Sequence, residues 1–109
     1  MTNIKIGNNE VIHFIGIGGI GMSGLAQIMK IMGFNVQGSD VSQGKNIENC
    51  KKVGVRTFIG HNRKNILNAT IIVKSTAINK NNIELIEAKK KKLPTNQSTN
   101  QQTNEPASQ

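Results

Sequence analysis

Apolar positions in the first third of this chain change period. Val11-Ile12-His13-Phe14-Ile15 is a short β-favouring run, whereas Met22, Leu25, Ala26, Met29 and Met32 recur at the three-and-four spacing of a helical stripe. The pattern predicts a buried strand followed by a helix that covers it. Gly33 ends the helix in a left-handed turn, and Asn35 to Ser39 reads as a second strand closed by Asp40. Asn46 to Val53 predicts a second helix, with Ile47, Cys50 and Val53 on its narrow apolar face and Gly54 as its terminator. Arg56 to Ile59 suits a third strand, Asn62 to Leu67 a helical turn, and Thr70 to Lys74 has the β-branched density of a buried parallel strand. Ser75 to Ile78 then forms the loop at that strand's carboxyl end. Asn82 to Lys92 returns to helix, with Glu84 in its first turn and Ile83, Leu85, Ile86 and Ala88 as its apolar positions.

Strands alternating with helices at this spacing predict an α/β fold with a Rossmann-like, doubly wound parallel sheet of about four strands. From Thr95 onward almost nothing could join a core. Residues 1–94 are therefore expected to form the domain, and 95–109 a disordered polar tail. Leu93-Pro94 looks like the approach to a fifth strand, but no apolar segment follows it. The expectation is a fifth strand missing or altered, leaving the fourth with an uncovered edge.

Size and charge narrow the function classes. A chain of 109 residues is one small domain, without room for extensive catalytic machinery. The net charge of +8 invites a nucleic-acid reading, yet Lys89-Lys90-Lys91-Lys92 closes a predicted helix. Lysines there favour the negative end of the helix dipole, and no aromatic residues interleave them, so no nucleic-acid partner is expected. Cys50 has no second cysteine to pair with and no neighbours at metal-ligand spacing; it is expected to pack on its helix in a reducing compartment, and no metal site is expected. Val11 to Met29 is uncharged, but its glycines, His13, Ser23 and Gln27 argue against a membrane span or signal segment. The setting expected is cytoplasmic, with no membrane partner.

The candidate chemistry lies between the first strand and the first helix. Gly16-x-Gly18-x-x-Gly21 permits a tight turn, close approach of phosphate oxygens and tight packing of helix on strand. The helix start then faces an anion with unpaired N–H groups and the positive end of its dipole. A glycine-rich turn with no ligand satisfies the same pattern. Ligands in open α/β sheets bind outside the carboxyl ends of strands, which puts the Gly16–Gly21 loop, Ser39 and Asp40, Gly60 and His61, and Ser75, Thr76 and Ala77 around one crevice. Asp40, about twenty residues past the loop, is placed to accept from ribose hydroxyls, and equally to cap a turn. His61 is a candidate ligand contact or a surface turn residue. Ser75 and Thr76 either donate to a nucleotide or cap their own loop. The methionines read as core filler.

Taken together, four blocks resemble the N-terminal domain of the Mur ligases of peptidoglycan synthesis, in the branch that joins L-alanine to UDP-N-acetylmuramate. They are His13 to Ala26, including Gly19 and Met22-Ser23, which a generic dinucleotide fold does not require; Gly38-Ser39-Asp40; Phe58-Ile59-Gly60-His61; and Ser75-Thr76-Ala77-Ile78. The resemblance runs from about residue 11 to 94. It implies a domain that holds the UDP part of UDP-N-acetylmuramate. Backbone amides of Gly18, Gly19, Ile20, Gly21, Met22 and Ser23, next to Gly16, would hold the diphosphate. Asp40 and His61 would help hold the ribose and uracil end, and Ser39, Ser75, Thr76 and Ala77 would line the rest of the substrate site. The family's ligases use ATP and Mg2+ to make an acyl phosphate that an amine attacks. No Gly-x-x-x-x-Gly-Lys-[Ser/Thr] occurs here, so no catalytic residue and no cofactor are expected in this chain, and a separate chain would have to carry the missing ligase domains. Two other readings stay open: an NAD-type regulatory module, since Asp40 suits either ribose, and a remnant without function.

Overall fold

The computed structural model describes residues 9–98. Five strands and three helices alternate: β1 (Val11–Ile15), α1 (Met22–Ile31), β2 (Asn35–Asp40), α2 (Lys45–Lys52), β3 (Arg56–Ile59), a 3-10 turn (Arg63–Ile66), β4 (Ile71–Ser75), α3 (Ile83–Lys90) and β5 (Thr95–Ser98). The strands form one parallel sheet in the order β3-β2-β1-β4-β5. β1 lies at its centre, with Ile12 opposite Val36 on one side and Ile71 on the other.

Alternation along β1 divides the core in two. Ile12 and Phe14 face one way and pack with Met22 and Ala26 of α1, Val36 of β2, and Ile47 and Cys50 of α2. On the opposite face Ile15 packs with Ile72 of β4, Leu85 and Ala88 of α3, and Ile66 and Ala69 around the 3-10 turn. Helices on both faces make the sheet doubly wound. Each of the fully buried large side chains adds roughly 1.5–3 kcal/mol relative to leaving it in water.

Two sequence expectations change. Thr95–Ser98, read as the start of a polar tail, is the fifth strand: it pairs with β4 from Ile72 opposite Thr95 to Ser75 opposite Ser98. The sheet therefore has five strands, and the β4 edge is covered. Its residues are polar because they fill an outer strand, where backbone pairing needs no apolar side chains; the Ile72 amide bonds the Pro94 carbonyl at 2.8 Å, and Lys74 Nζ donates to Gln97 Oε1 at 2.8 Å. The rest of the expected tail lies outside the described residues. The apolar stripe of α1 is also narrower than its spacing implied, since Leu25 and Met32 are 37% and 66% exposed while Ser23 is buried. Ser23 takes the inward position because α1 and α2 approach closely there, with Cys50 Sγ 3.7 Å from the Ser23 carbonyl.

Gly38 explains how the loop after β1 reaches β2. A Cβ at Gly38 would lie 2.5 Å from Ile17 Cδ1 and 2.9 Å from the Phe14 carbonyl oxygen, so only a glycine lets the loop fold down against this strand. Ile17 is thereby fully buried, and the amides of Gly16 and Ile17 both donate to the Ser39 carbonyl, at 2.8 and 2.9 Å.

Candidate functional site

The loop between β1 and α1 lies at the carboxyl edge of the sheet, where β2 and β4 depart on opposite sides of β1. Gly21, the residue before α1, has φ 84°, a left-handed conformation that side-chain-bearing residues adopt at a cost. No side chain caps α1. Several loop amides are used internally: Gly18 donates to Asp40 Oδ2 at 2.8 Å, Gly19 to the Gly16 carbonyl, and Met22 and Ser23 to the Gly19 carbonyl. Among the described residues, the amides of Ile20, Gly21 and Gly24 have no acceptor. They are the donors this loop offers to an anion. Gly24 was not among the residues singled out from sequence.

Asp40, at the end of β2, closes onto the loop through Gly18 and onto its own turn through the Val41 amide at 2.7 Å. Each carboxylate oxygen keeps a further lone pair for a hydroxyl. Beside it a cleft of about 220 Å3 is lined by Gly18, Asp40 and residues 42–47, including Lys45 and Asn46. Asn46 Nδ2 donates to the Gly18 carbonyl at 2.9 Å, so the start of α2 is tied to the glycine loop. Sequence reasoning passed over Lys45 and Asn46, whose place in the cleft depends on how the β2–α2 connection folds back.

On the β4 side, Ser75 is buried and Oγ accepts from the Ala77 amide at 3.1 Å, the loop-capping role, whereas Thr76 and Ala77 are exposed. Ile78 touches the loop, lying 3.0 Å from where a Cβ of Gly16 would stand. Met22 and Ser23 are buried, so their side chains belong to the interior, while Ile20 is 77% exposed at the loop tip. The fold thus brings Gly16 to Ser23, Asp40 and Ser75 to one edge, with His61 just beyond β3.

Ser39 and His61 belong to a buried polar cluster whose centre is Glu84, which sequence reading left as a helix-start carboxylate. Glu84 Oε1 accepts from His13 Nε2 at 2.7 Å and Ser39 Oγ at 2.6 Å; Oε2 accepts from the Asn62 amide at 3.0 Å and Asn65 Nδ2 at 2.6 Å. Burial alone would raise its pKa, but the hydrogen bonds from His13, Ser39 and Asn65 outweigh it and hold the carboxyl at about 2. The cluster contains a serine, a histidine and a carboxylate, yet it is no nucleophilic triad. Ser39 Oγ is fully buried and donates directly to Glu84, and the same His61 nitrogen, Nδ1, faces both Ser39 and Glu84, at 3.0 and 3.5 Å. Among the described residues no group of His, Cys, Asp and Glu could hold a metal ion. Cys50 is buried, which pushes its thiol pKa up.

Residues 11–102 match the family described as Mur ligase family, catalytic domain. The chain belongs to the Mur ligase family. It is 64% identical over 91 residues to a UDP-N-acetylmuramate–L-alanine ligase of Pelagibacter ubique, and 53% identical over 83 residues to that of Methylorubrum populi. These matches cover 84% and 76% of the chain but only 20% and 18% of the relatives, so this Mur ligase chain spans about a fifth of their length. The crystal structure of UDP-N-acetylmuramate–alanine ligase from Thermotoga maritima superposes with a TM-score of 0.76 at 31% identity, over 80% of this chain and 20% of that one. The UDP-N-acetylmuramate:L-alanyl-γ-D-glutamyl-meso-diaminopimelate ligase of Neisseria meningitides gives a TM-score of 0.71 at 27% identity, over 81% of this chain and 28% of that one. The part matched is the N-terminal domain of the alanine-adding enzymes. Among the described residues no helix is long and apolar enough to cross a membrane.

Proposed function

We propose that this chain binds the UDP part of UDP-N-acetylmuramate, as the substrate-holding domain of the cytoplasmic ligase that adds L-alanine in peptidoglycan synthesis. The observation that carries the reading is the set of unpartnered amides at Ile20, Gly21 and Gly24, set at a helix start beside Asp40. The diphosphate accepts from these amides, with the α1 dipole adding about 0.3–1 kcal/mol. A phosphate that also takes the Gly18 amide must displace Asp40, which frees that carboxylate to accept from the ribose hydroxyls. Lys45, on the rim of the adjoining cleft, offsets the carboxylate's repulsion of the phosphates. The remaining roles assigned to Gly16, Gly19, Met22 and Ser23 are to shape the loop, and those of Ser75, Thr76 and Ala77 are to close its β4 side. Neither nucleic acid nor a membrane is a partner in this reading.

Bond formation lies outside these residues. With no ATP-binding loop in the sequence, ATP and Mg2+ act on further ligase domains, in the same polypeptide or in a separate chain. The chain by itself is expected to show no alanine-dependent ATP turnover.

A strand order of β3-β2-β1-β4-β5 with Asp40 ending β2 also suits an NAD ribose, so the test sets the two ligands against each other. At equal concentration, UDP or UDP-N-acetylmuramate should raise the melting temperature more than NAD, and Asp40→Ala should reduce that shift. A larger shift with NAD rejects the proposal. No shift with either ligand, in a folded chain, favours a remnant without function.

A further inference from the structure

Glu84 lies beneath the sheet edge and is fully buried, yet it organises the candidate side chain at the β3 end. The protons of its cluster can be placed one at a time. Gln37 Nε2 donates to the Asn65 carbonyl at 2.7 Å, which identifies it as the amide nitrogen, and it lies 2.8 Å from His13 Nδ1. That ring nitrogen is therefore the acceptor, and His13 carries its proton on Nε2, donating it to Glu84 at 2.7 Å. Ser39 has one hydroxyl hydrogen, and it goes to Glu84 Oε1 at 2.6 Å. The 3.0 Å contact of Ser39 Oγ with His61 Nδ1 then has only one direction: His61 donates. Glu84 Oε2, 3.5 Å from the same Nδ1, favours a proton at that position too. The His61 side chain is 15% exposed, and among the described residues its Nε2 has no partner.

We propose that Glu84 is a positioning residue that acts through Ser39: it holds His61 in the Nδ1-protonated tautomer, so that Nε2 is offered as a hydrogen-bond acceptor to an N–H of the ligand's base. This rests on the uridine diphosphate reading above. Along the sheet edge the glycine loop follows β1, Asp40 ends β2 and His61 follows β3, an order that runs phosphate, sugar, base. The uracil ring of UDP has a single N–H, at N3, and this is the group that the acceptor takes. Cytosine carries a lone pair at N3 and meets the same acceptor unfavourably. The buried carboxylate thus sets base preference without touching the base.

Two measurements on the full chain test this. Nitrogen-15 NMR of the histidine rings reads the tautomer, and calorimetry compares UDP, CDP and inorganic pyrophosphate. His61 should be protonated on Nδ1 and not on Nε2, and UDP should bind roughly tenfold more tightly than CDP, the worth of about one hydrogen bond. In Ser39→Ala only the 3.5 Å contact with Glu84 Oε2 is left to hold the ring: the tautomers mix and the UDP-over-CDP preference falls to about twofold, read as a ratio so that any change in phosphate binding, followed with pyrophosphate, cancels. A folded Glu84→Gln should behave likewise, and Ser39→Ala carries the test if that variant does not fold. UDP binding with His61 protonated on Nε2, or with an unaltered UDP preference in Ser39→Ala, overturns the proposal and leaves the site reading standing. Failure of UDP and pyrophosphate to bind overturns both.

Discussion

Glu84 illustrates how a single residue can join several segments. Its two oxygens collect donors from β1, β2, the turn after β3 and the 3-10 turn. A carboxylate with this many donors is stable inside the protein only while ionised, since protonation removes acceptor capacity that at least two neighbours need. The sign of the pH dependence follows. The folded pKa, about 2, lies below the ordinary glutamate value of 4.5, so the contribution is fully present above about pH 4.5 and is lost as pH falls toward 2. Its size is of order 3 kcal/mol. Chemical denaturation at a series of pH values should show stability falling by that order between about pH 4.5 and 2, with a shallower fall in Glu84→Gln. An acid limb equally steep in the variant would place the loss elsewhere. His13 and His61 face the same carboxylate and are the other titratable groups in the cluster.

At the level of elements, α3 exists to deliver that carboxylate as much as to cover the sheet. It has only eight residues, Ile83–Lys90, too few to hold as an isolated helix. Two devices start and stop it. Asn82 Oδ1 accepts from the amides of Glu84 and Leu85, at 2.8 and 3.3 Å, and at the other end Lys92 takes a left-handed φ of 59° where a glycine is usual. Lys89 and Lys90 lie in the last turn, as the sequence reading expected, and favour the dipole there. Asn82→Ala should therefore cost about 1 kcal/mol, read from the denaturation midpoint. Because the lost cap frees the first turn, hydrogen exchange at Glu84 and Leu85 should quicken more than at Ile12 or Phe14 in β1. Uniform quickening would mean that α3 opens only with the whole domain.

Across the whole molecule, the sheet has one strand that its own side chains do not explain. Without β5 the β4 strand would present its amides and carbonyls to water and to other copies of the chain. Ending the chain after Pro94 should lower the melting temperature by roughly 5–10 °C, from one or two kcal/mol of lost pairing, and should promote self-association visible in size-exclusion chromatography. An unchanged melting temperature would show that β5 contributes nothing to the sheet. The larger arrangement separates tasks between faces: α1 and α2 cover the side that carries the glycine loop and cleft, while α3 covers the side that carries the Glu84 cluster. Both meet at the carboxyl edge, where Ser39 and Asp40 are adjacent on β2 but serve different faces.

Local pattern was enough for the elements themselves, because hydrophobic period, turn glycines and helix-end lysines act over a few residues. It placed the first four strands and three helices within a residue or two of where they lie, and it put the glycine loop, Asp40, His61 and Ser75 at one edge through the rule for parallel sheets. Pairing and burial were beyond its reach, since both are set by partners distant in sequence. β5 is a strand because β4 has open backbone groups beside it, although Thr-Asn-Gln-Ser carries no strand pattern. Leu25 and Met32 stay exposed because α1 turns a narrower face to the sheet than its apolar spacing spans. Glu84 read only as a residue of a first helical turn, and the packing of α3 against His13, 71 positions earlier, makes it a buried hub.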